Sequence, residues 1–303
     1  MTDPPIPLAA DLAPGDARSR DLDWSGLRLV RVDAVDHPWF ARAYDRLWRE
    51  FGHRNEMETR DVIARRLADP LRRADDRTLH YQLLVVLAGD DLVAVRDHTA
   101  IASPDLASRP SVPGSSSPPS PDLSSRPSAP DSSSVVVHLS HVVVEPPHRG
   151  SGLAGWLRAL PLQAARSVAA AVGLAAPRVT LVAEMEHPDG VTPDVMARLR
   201  SYGRAGFLMV DPTRAPYLQP DFRPPAEIDA TGVQPVELAL VLRRVGDEAA
   251  TTLPGRELRD LVAALYTMYA SVGTPHAHMA PLHARLAAFP PDHAAVPLRP
   301  PLP

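Results

Sequence analysis

The chain contains no cysteine and, across its 303 residues, no lysine, so all 32 of its basic side chains are arginine. Without cysteine there is no disulfide, no thiolate metal site and no cysteine nucleophile. Without lysine there is no Walker A loop, whose lysine grips phosphate, and no Schiff base for pyridoxal chemistry. Strong net charge is also missing. A balance of −4 speaks against a nucleic-acid partner, which requires a basic face. No run approaches the ~18 apolar residues of a membrane span. The first 21 residues lack the basic and apolar regions of a secretory signal. These absences predict a cytoplasmic protein with no membrane partner.

What is present is ordinary for a globular chain: 45% hydrophobic and 22% charged residues, in a length sufficient to bury a core. Residues 1–22 are rich in Pro, Asp and Ala and predict a disordered arm. Residues 27–32 (LRLVRV) alternate as a strand, and aromatic residues at helical spacing across 39–51 predict a helix whose aromatics serve the core. A second helix is expected over 62–67, ending near Pro70. Residues 81–87 and 92–101 flank Ala88-Gly89-Asp90-Asp91 and read as an antiparallel hairpin.

Residues 103–134 are dominated by Ser and Pro, and 104–117 (PDLASRPSVPGSSS) recurs as 121–134 (PDLSSRPSAPDSSS). Such a stretch buries too little apolar surface to offset its ordering entropy and is expected to be a disordered insertion. A strand follows over 135–144 (VVVHLSHVVV), then a glycine-rich turn and a helix from about 151 to 172, with Pro161 expected to kink it. A strand over 179–186 is followed by a helix that begins at Thr192-Pro193-Asp194 and ends at Gly206. Two closing strands are expected at 207–210 and 236–245. An amphipathic helix follows over 257–270, a weaker one over 281–288, and then a Pro-rich tail over 290–303. His276, His278 and His283 fall short of a convergent zinc set and read as a solvated loop, so no metal site is expected.

The glycine turn, Gly150-Ser151-Gly152-Leu153-Ala154-Gly155, matches the G-x-G-x-x-G dinucleotide fingerprint, which would imply a nicotinamide-dependent oxidoreductase. However, five residues, two of them proline, separate Val144 from Gly150, and the strands upstream form a hairpin rather than a βαβ run. The chemistry of the turn is still that of a diphosphate cradle. A helix N-terminus offers amides and a positive dipole end, glycines admit close backbone approach, and Arg149 adds charge.

The longer stretch from Val144 to Ala154 reads V-x-P-x-x-R-G-x-G-[IL]-[GA], and Tyr202-Gly203-Arg204-Ala205-Gly206-Phe207 reads Y-x-[KR]-x-G-F. Together, in this order of elements, they resemble the GNAT (general N-acetyltransferase) superfamily over about 24–246, apart from the Ser/Pro stretch. The resemblance implies an α/β (α+β) fold with a mixed, mostly antiparallel central sheet of roughly six to seven strands flanked by helices. The domain would span 23–246, with a C-terminal helical extension over 247–289. It implies acetyl-CoA as co-substrate, its pyrophosphate held at Arg149, Gly150, Ser151, Gly152, Leu153 and Ala154 and its pantetheine arm bonded by the backbone of Val142, Val143 and Val144.

The resemblance also implies an N-acetyltransferase with Tyr202 as general acid at the sulfur. With no cysteine, direct transfer from thioester to amine is expected. For the base, Glu184 and Glu186 share one face of the strand over 179–186, and His138 stands where some family members carry a catalytic carboxylate. His138 and His141 should point to opposite faces of their strand, so that one alone can reach the substrate. Val195 replaces an asparagine common in the family, which leaves open a non-catalytic acyl-CoA-binding module. The acceptor would be a small-molecule or peptide amine, and a homodimer is compatible with the resemblance.

Overall fold

A computed structural model describes residues 4–103 and 133–302. In chain order its main elements are β1 (Arg28–Val32), α1 (Phe40–Phe51), α2 (Arg60–Ala68), β2 (Leu71–Ala74), β3 (Arg77–Ala88), β4 (Asp91–Ser103) and β5 (Ser134–Val144). There follow α3 (Leu153–Ala159), α4 (Pro161–Ala171), β6 (Arg178–Met185), α5 (Pro193–Arg204), β7 (Leu208–Val210), β8 (Tyr217–Gln219) and α6 (Pro225–Thr231). The chain closes with β9 (Val236–Arg244), β10 (Thr252–Pro254), α7 (Gly255–Ala270), α8 (His276–Arg285) and β11 (Ala295–Arg299). The hairpin turns at Gly89, whose φ of 58° suits a residue without a side chain. Leu160 and Pro161 divide the expected long helix into α3 and α4, because proline has no amide to donate to the preceding turn.

Among the described residues eleven strands form one mixed sheet in the order β1-β3-β4-β5-β6-β9-β7-β11-β10, with β2 on β3 and β8 on β9. Every pair is antiparallel except β5–β6. Helices cover both faces, so β3 and β4 are buried along nearly their whole length, the polar run Arg96-Asp97-His98-Thr99 of β4 included. One face carries α1 and α2 at the β1 end and α7 with α8 toward β9. The other carries α3, α4 and α5. The helical C-terminal region is therefore part of the main core: Leu258, Leu261, Val262 and Leu265 of α7 pack on Ile101, Val136 and Val182.

Several expectations need correction. The segment expected as a loose arm is docked. Leu12 and Ala13 are buried, Asp16 pairs with Arg158, Asp11 pairs with Arg166, and Trp24 meets Trp156 edge-on at 5.9 Å. Its composition suggests looseness, but a few apolar and acidic side chains reach complementary partners more than a hundred residues away. The tail is likewise ordered by pairing: Val296 and Leu298 are buried where β11 adds to β7 and β10. These strands, with β2 and β8, raise the count above the six to seven expected. The histidine segment is the helix α8 rather than a loop, with His278 buried against Asp229 at 2.8 Å. The duplicated stretch 104–132 lies outside the described residues; its ends meet, since Ser103 and Ser134 are register partners in β4 and β5.

Candidate active site

The site begins at a fork. β5 and β6 pair from Ser134↔Arg178 to His138↔Val182 and no further. Beyond that point β5 stays with β4 as far as Val144, while β6 stays with β9 to Met185. At the same place the β4–β5 register slips: Thr99 faces His138, Asp97 faces His141, and the extra residue lies on β5 at Leu139–Ser140. A bulge of this kind bends the strand and increases its twist, which turns β5 away from β6. The wedge between the strands is a cleft of about 210 Å³ that reaches both faces of the sheet.

The bulge overturns one expectation about the histidines. Three positions apart, His138 and His141 should point to opposite faces, but the added residue brings both to the α1/α7 face, and both line the cleft. His141 donates its amide to Asp97 at 2.8 Å and sets Nδ1 3.0 Å from the same carboxylate. Its Nε2 faces the Glu56 carbonyl at 3.0 Å. Both ring nitrogens thus meet acceptors, which only the imidazolium satisfies. Burial opposes that charge, but Asp97 wins and lifts the His141 pKa to about 9. Asp97 is fully buried, yet His141 and Arg66 hold it at about 2, and Tyr81 donates to it at 3.2 Å. The His141–Asp97 pair therefore serves as a structural ion pair.

Glu184 lies on β6 and Glu186 one residue beyond its end at Met185, and their surroundings differ. Glu184 is buried and accepts from four donors: His138 Nε2 at 3.0 Å, Tyr269 at 2.7 Å, Gln219 at 3.2 Å, and the Tyr217 hydroxyl. Burial raises its pKa, but His138 and the two tyrosine hydroxyls outweigh burial and hold it below the usual carboxylate range. The same burial and the Glu184 charge push Tyr217 and Tyr269 well above 10, so both remain donors. Glu186 stands at the mouth, half-buried between Arg54 at 3.0 Å and Arg198. Burial raises its proton affinity, but its own backbone amide and these arginines keep it lowered overall.

Both carboxylates are thus held as anions by their donors, and Glu184 in turn orients His138. A carboxylate at Nε2 fixes the proton there and leaves Nδ1 as the basic nitrogen, 3.0 Å from Ser140 Oγ.

On the opposite face the cleft is lined by Val142, Val144, Ala154, Arg158 and Tyr202. Tyr202 is buried, packs edge-on against Phe207 at 4.8 Å, and lies under the Arg158 guanidinium at 5.6 Å. Arg96, fully buried, also lines the cleft, and its three guanidinium nitrogens have no hydrogen-bond partner among the described residues. Burial lowers its pKa, and the nearby Tyr202 hydroxyl partly offsets that.

The glycine turn opens at the outer end of this face. Gly150 (φ 76°) has open space where a side chain would stand, and Gly150, Ser151 and Ala154 are exposed. Leu153 donates its amide to Ser151 Oγ at 3.3 Å, and Arg149 Nε donates to the Val144 carbonyl at 3.1 Å. Within this first turn Ala154 is exposed, and it and the exposed Arg149 are the parts of the turn open to a diphosphate. Gly152 (φ 96°) is required for another reason: a Cβ there would stand 2.6 Å from the Arg18 carbonyl, and one at Gly155 would strike Ser19. Two of the three fingerprint glycines thus admit the N-terminal segment, whose Ser19 Oγ donates to the Gly152 carbonyl at 2.6 Å. The side chains of Val142 and Val144 pack toward α3 and that of Val143 toward α1.

Sequence reading missed Glu56, Ser140 and Tyr269; the run Tyr217-Leu218-Gln219-Pro220, between the last two strands, reads as a turn or as lining of the acceptor cleft, and Tyr217 and Gln219 bond Glu184. Only the hydroxyl and amide types in the YLQ run could have signalled the last two. Burial, with Glu186 nearby, raises Glu56 above the usual carboxylate range at the cleft mouth. Asn55 ties this rim to the opposite loop by bonding Asp221 at 3.0 Å and the Phe222 amide at 2.9 Å.

No family model matches the chain, and no curated protein does. Among the described residues no helix is long and apolar enough to cross a membrane. Solved structures similar to the chain include two acetyltransferases. One is described as a GNAT-family acetyltransferase from Desulfovibrio desulfuricans, 15% identical, with 73% of this chain and 99% of that one covered at a TM-score of 0.32. The other is an acetyltransferase from Thermus thermophilus, 18% identical, with 72% of this chain and 96% of that one covered at a TM-score of 0.31.

Proposed function

We propose that this chain is a cytoplasmic N-acetyltransferase of the GNAT superfamily, moving an acetyl group from acetyl-CoA to a small-molecule or peptide amine. The observation that carries this reading is the fork. It opens one cleft that touches Ala154 of the glycine turn and Tyr202 on one face of the sheet, and the His138–Glu184 pair on the other. A thioester lying in such a wedge would have an acid on one side and a base on the other.

Arg149, Gly150, Ser151, Gly152, Leu153 and Ala154 would hold the pyrophosphate, and the unpaired edge of Val142, Val143 and Val144 would bond the pantetheine arm. The co-substrate supplies the activated acyl group. His138 Nδ1 accepts the proton lost by the nucleophile, with Glu184 stabilising the imidazolium that results. Tyr202 protonates the departing sulfur. Glu186 and Glu56, at the mouth, attract a cationic amine. A purely CoA-binding module would have no use for a histidine whose tautomer is fixed by a buried carboxylate beside the cleft.

The test is calorimetry with CoA and acetyl-CoA, followed by thiol release with an amine panel. Micromolar binding and amine-dependent thiol release are expected. Absence of CoA binding overturns the reading.

A further inference from the structure

We propose that Ser140 is a nucleophile in this cleft and that acyl transfer passes through an acyl-serine. The inference rests on the acyl-CoA reading above and replaces direct transfer, which was expected only because cysteine is absent.

Three groups stand in line. Ser140 Oγ is 3.0 Å from His138 Nδ1, and His138 Nε2 is 3.0 Å from Glu184 Oε2. The order is nucleophile, base and orienting carboxylate, a constellation recognised by role and geometry rather than by chain position. The protonation pattern follows from the acceptors. Glu184 can only accept, so Nε2 carries the imidazole proton, Nδ1 is the free acceptor, and the serine hydroxyl donates to it. The carboxylate is held by Tyr217, Tyr269 and Gln219, and the imidazole is braced by the edge of the Tyr269 ring at 5.7 Å. An orienting group this constrained also constrains the base.

Position agrees with role. Both line the cleft, Ser140 half-buried and His138 only 2% exposed. A substrate therefore meets the hydroxyl before the imidazole. Leu139 and Ser140 form the bulge, so this stretch of backbone has no register partner on β4 and none on β6. Amides freed in this way are the kind that stabilise a tetrahedral oxyanion.

In the first step Ser140 Oγ bonds to the thioester carbonyl carbon and its proton passes to His138 Nδ1. The carbon–sulfur bond breaks, and the sulfur leaves as CoA thiol with a proton from Tyr202. In the second step an amine attacks the serine ester, His138 returns a proton to Ser140 Oγ, and Tyr202 is reprotonated from the amine nitrogen through solvent. Water in place of the amine gives acetate, so slow thioester hydrolysis should accompany transfer.

The experiment needs no knowledge of the amine. The full chain is incubated with acetyl-CoA alone and read by intact-mass spectrometry, with peptide mapping and hydroxylamine treatment. One hydroxylamine-labile acetyl group on Ser140, with one equivalent of thiol released in a burst, is expected. Ser140→Ala should abolish the adduct, and His138→Gln should slow its formation by about 10²-fold or more. CoA affinity should hold in both variants. If the wild-type chain binds acetyl-CoA and releases thiol to amines with no adduct, the serine proposal falls and direct transfer stands. If CoA does not bind at all, the underlying reading falls instead.

Discussion

Consecutive residues of β4 show how differently the two faces of the sheet treat charge. Asp97 points toward α1 and α7, where it receives the amide and ring of His141 and the hydroxyl of Tyr81. Its neighbours Arg96 and His98 are equally buried on the other side, and neither side chain has a hydrogen-bond partner among the described residues. Burial, with the Arg96 charge, holds His98 far below the usual histidine range, so it stays neutral. The strand's alternation separates an acid from the adjacent cation, so they cannot satisfy one another. One face of the cleft is a completed network that holds His138 and His141 in place. The other keeps donors in reserve beside the proposed cofactor channel.

If the first face is complete, breaking it should be costly. Asp97→Asn leaves the His141 cation buried without its counter-charge and should cost about 3–5 kcal/mol, read by urea unfolding at pH 6. The effect has a pH window. His141, raised to about 9, contributes fully below its ordinary 6.5 and loses its contribution as pH rises through 9. Asp97, lowered to about 2, contributes above its ordinary 3.8 and loses it as pH falls through 2. The gap between wild type and Asp97→Asn should thus be widest from about pH 4 to 6.5 and shrink toward alkaline pH. A gap independent of pH would show that the pair is not ionised.

Next in size is Glu184→Gln, which keeps the shape but loses the charge behind His138. Turnover should drop about 10²–10³-fold with CoA affinity unchanged, measured by thiol release and calorimetry. Unchanged turnover would leave Glu184 a purely structural acceptor.

Gly152→Ala, at a positive φ and against the Arg18 carbonyl, should cost about 1–3 kcal/mol and loosen the N-terminal segment. Hydrogen exchange at residues 11–21 reads this directly. Protection equal to wild type would contradict the packing assigned to this glycine.

The smallest effect belongs to Arg96→Met. Removing a buried guanidinium whose burial the Tyr202 hydroxyl offsets only in part should change stability by less than about 1 kcal/mol, or raise it, in the absence of ligand. A loss as large as that of Asp97→Asn would erase the contrast between the faces.

The fold was readable where elements are locally determined. The hairpin at Gly89, the helix start at Pro193 and the amphipathic α7 follow from turn chemistry and periodicity, and all three are present. The arm and tail were misread because Pro-rich composition records what a segment lacks by itself, not the partners that Leu12, Asp16 or Val296 find elsewhere. At the site, the turn of Glu184 away from Leu181, Ala183 and Met185 was legible from strand alternation. The shared face of His138 and His141 was not, because a single inserted residue reverses the parity.

By itself the sequence determined the strand before the glycine turn and the helix after it, because each depends on residues close together in the chain, and its composition excluded thiol and lysine chemistry. Only the tertiary structure decided which side chains confront one another. Glu184 gathers partners 33, 35, 46 and 85 residues away, and the fork that admits a substrate exists only where β5 and β6 part. Hydrogen-bond satisfaction inside a core is a property of long-range pairing, and local periodicity carries no record of it.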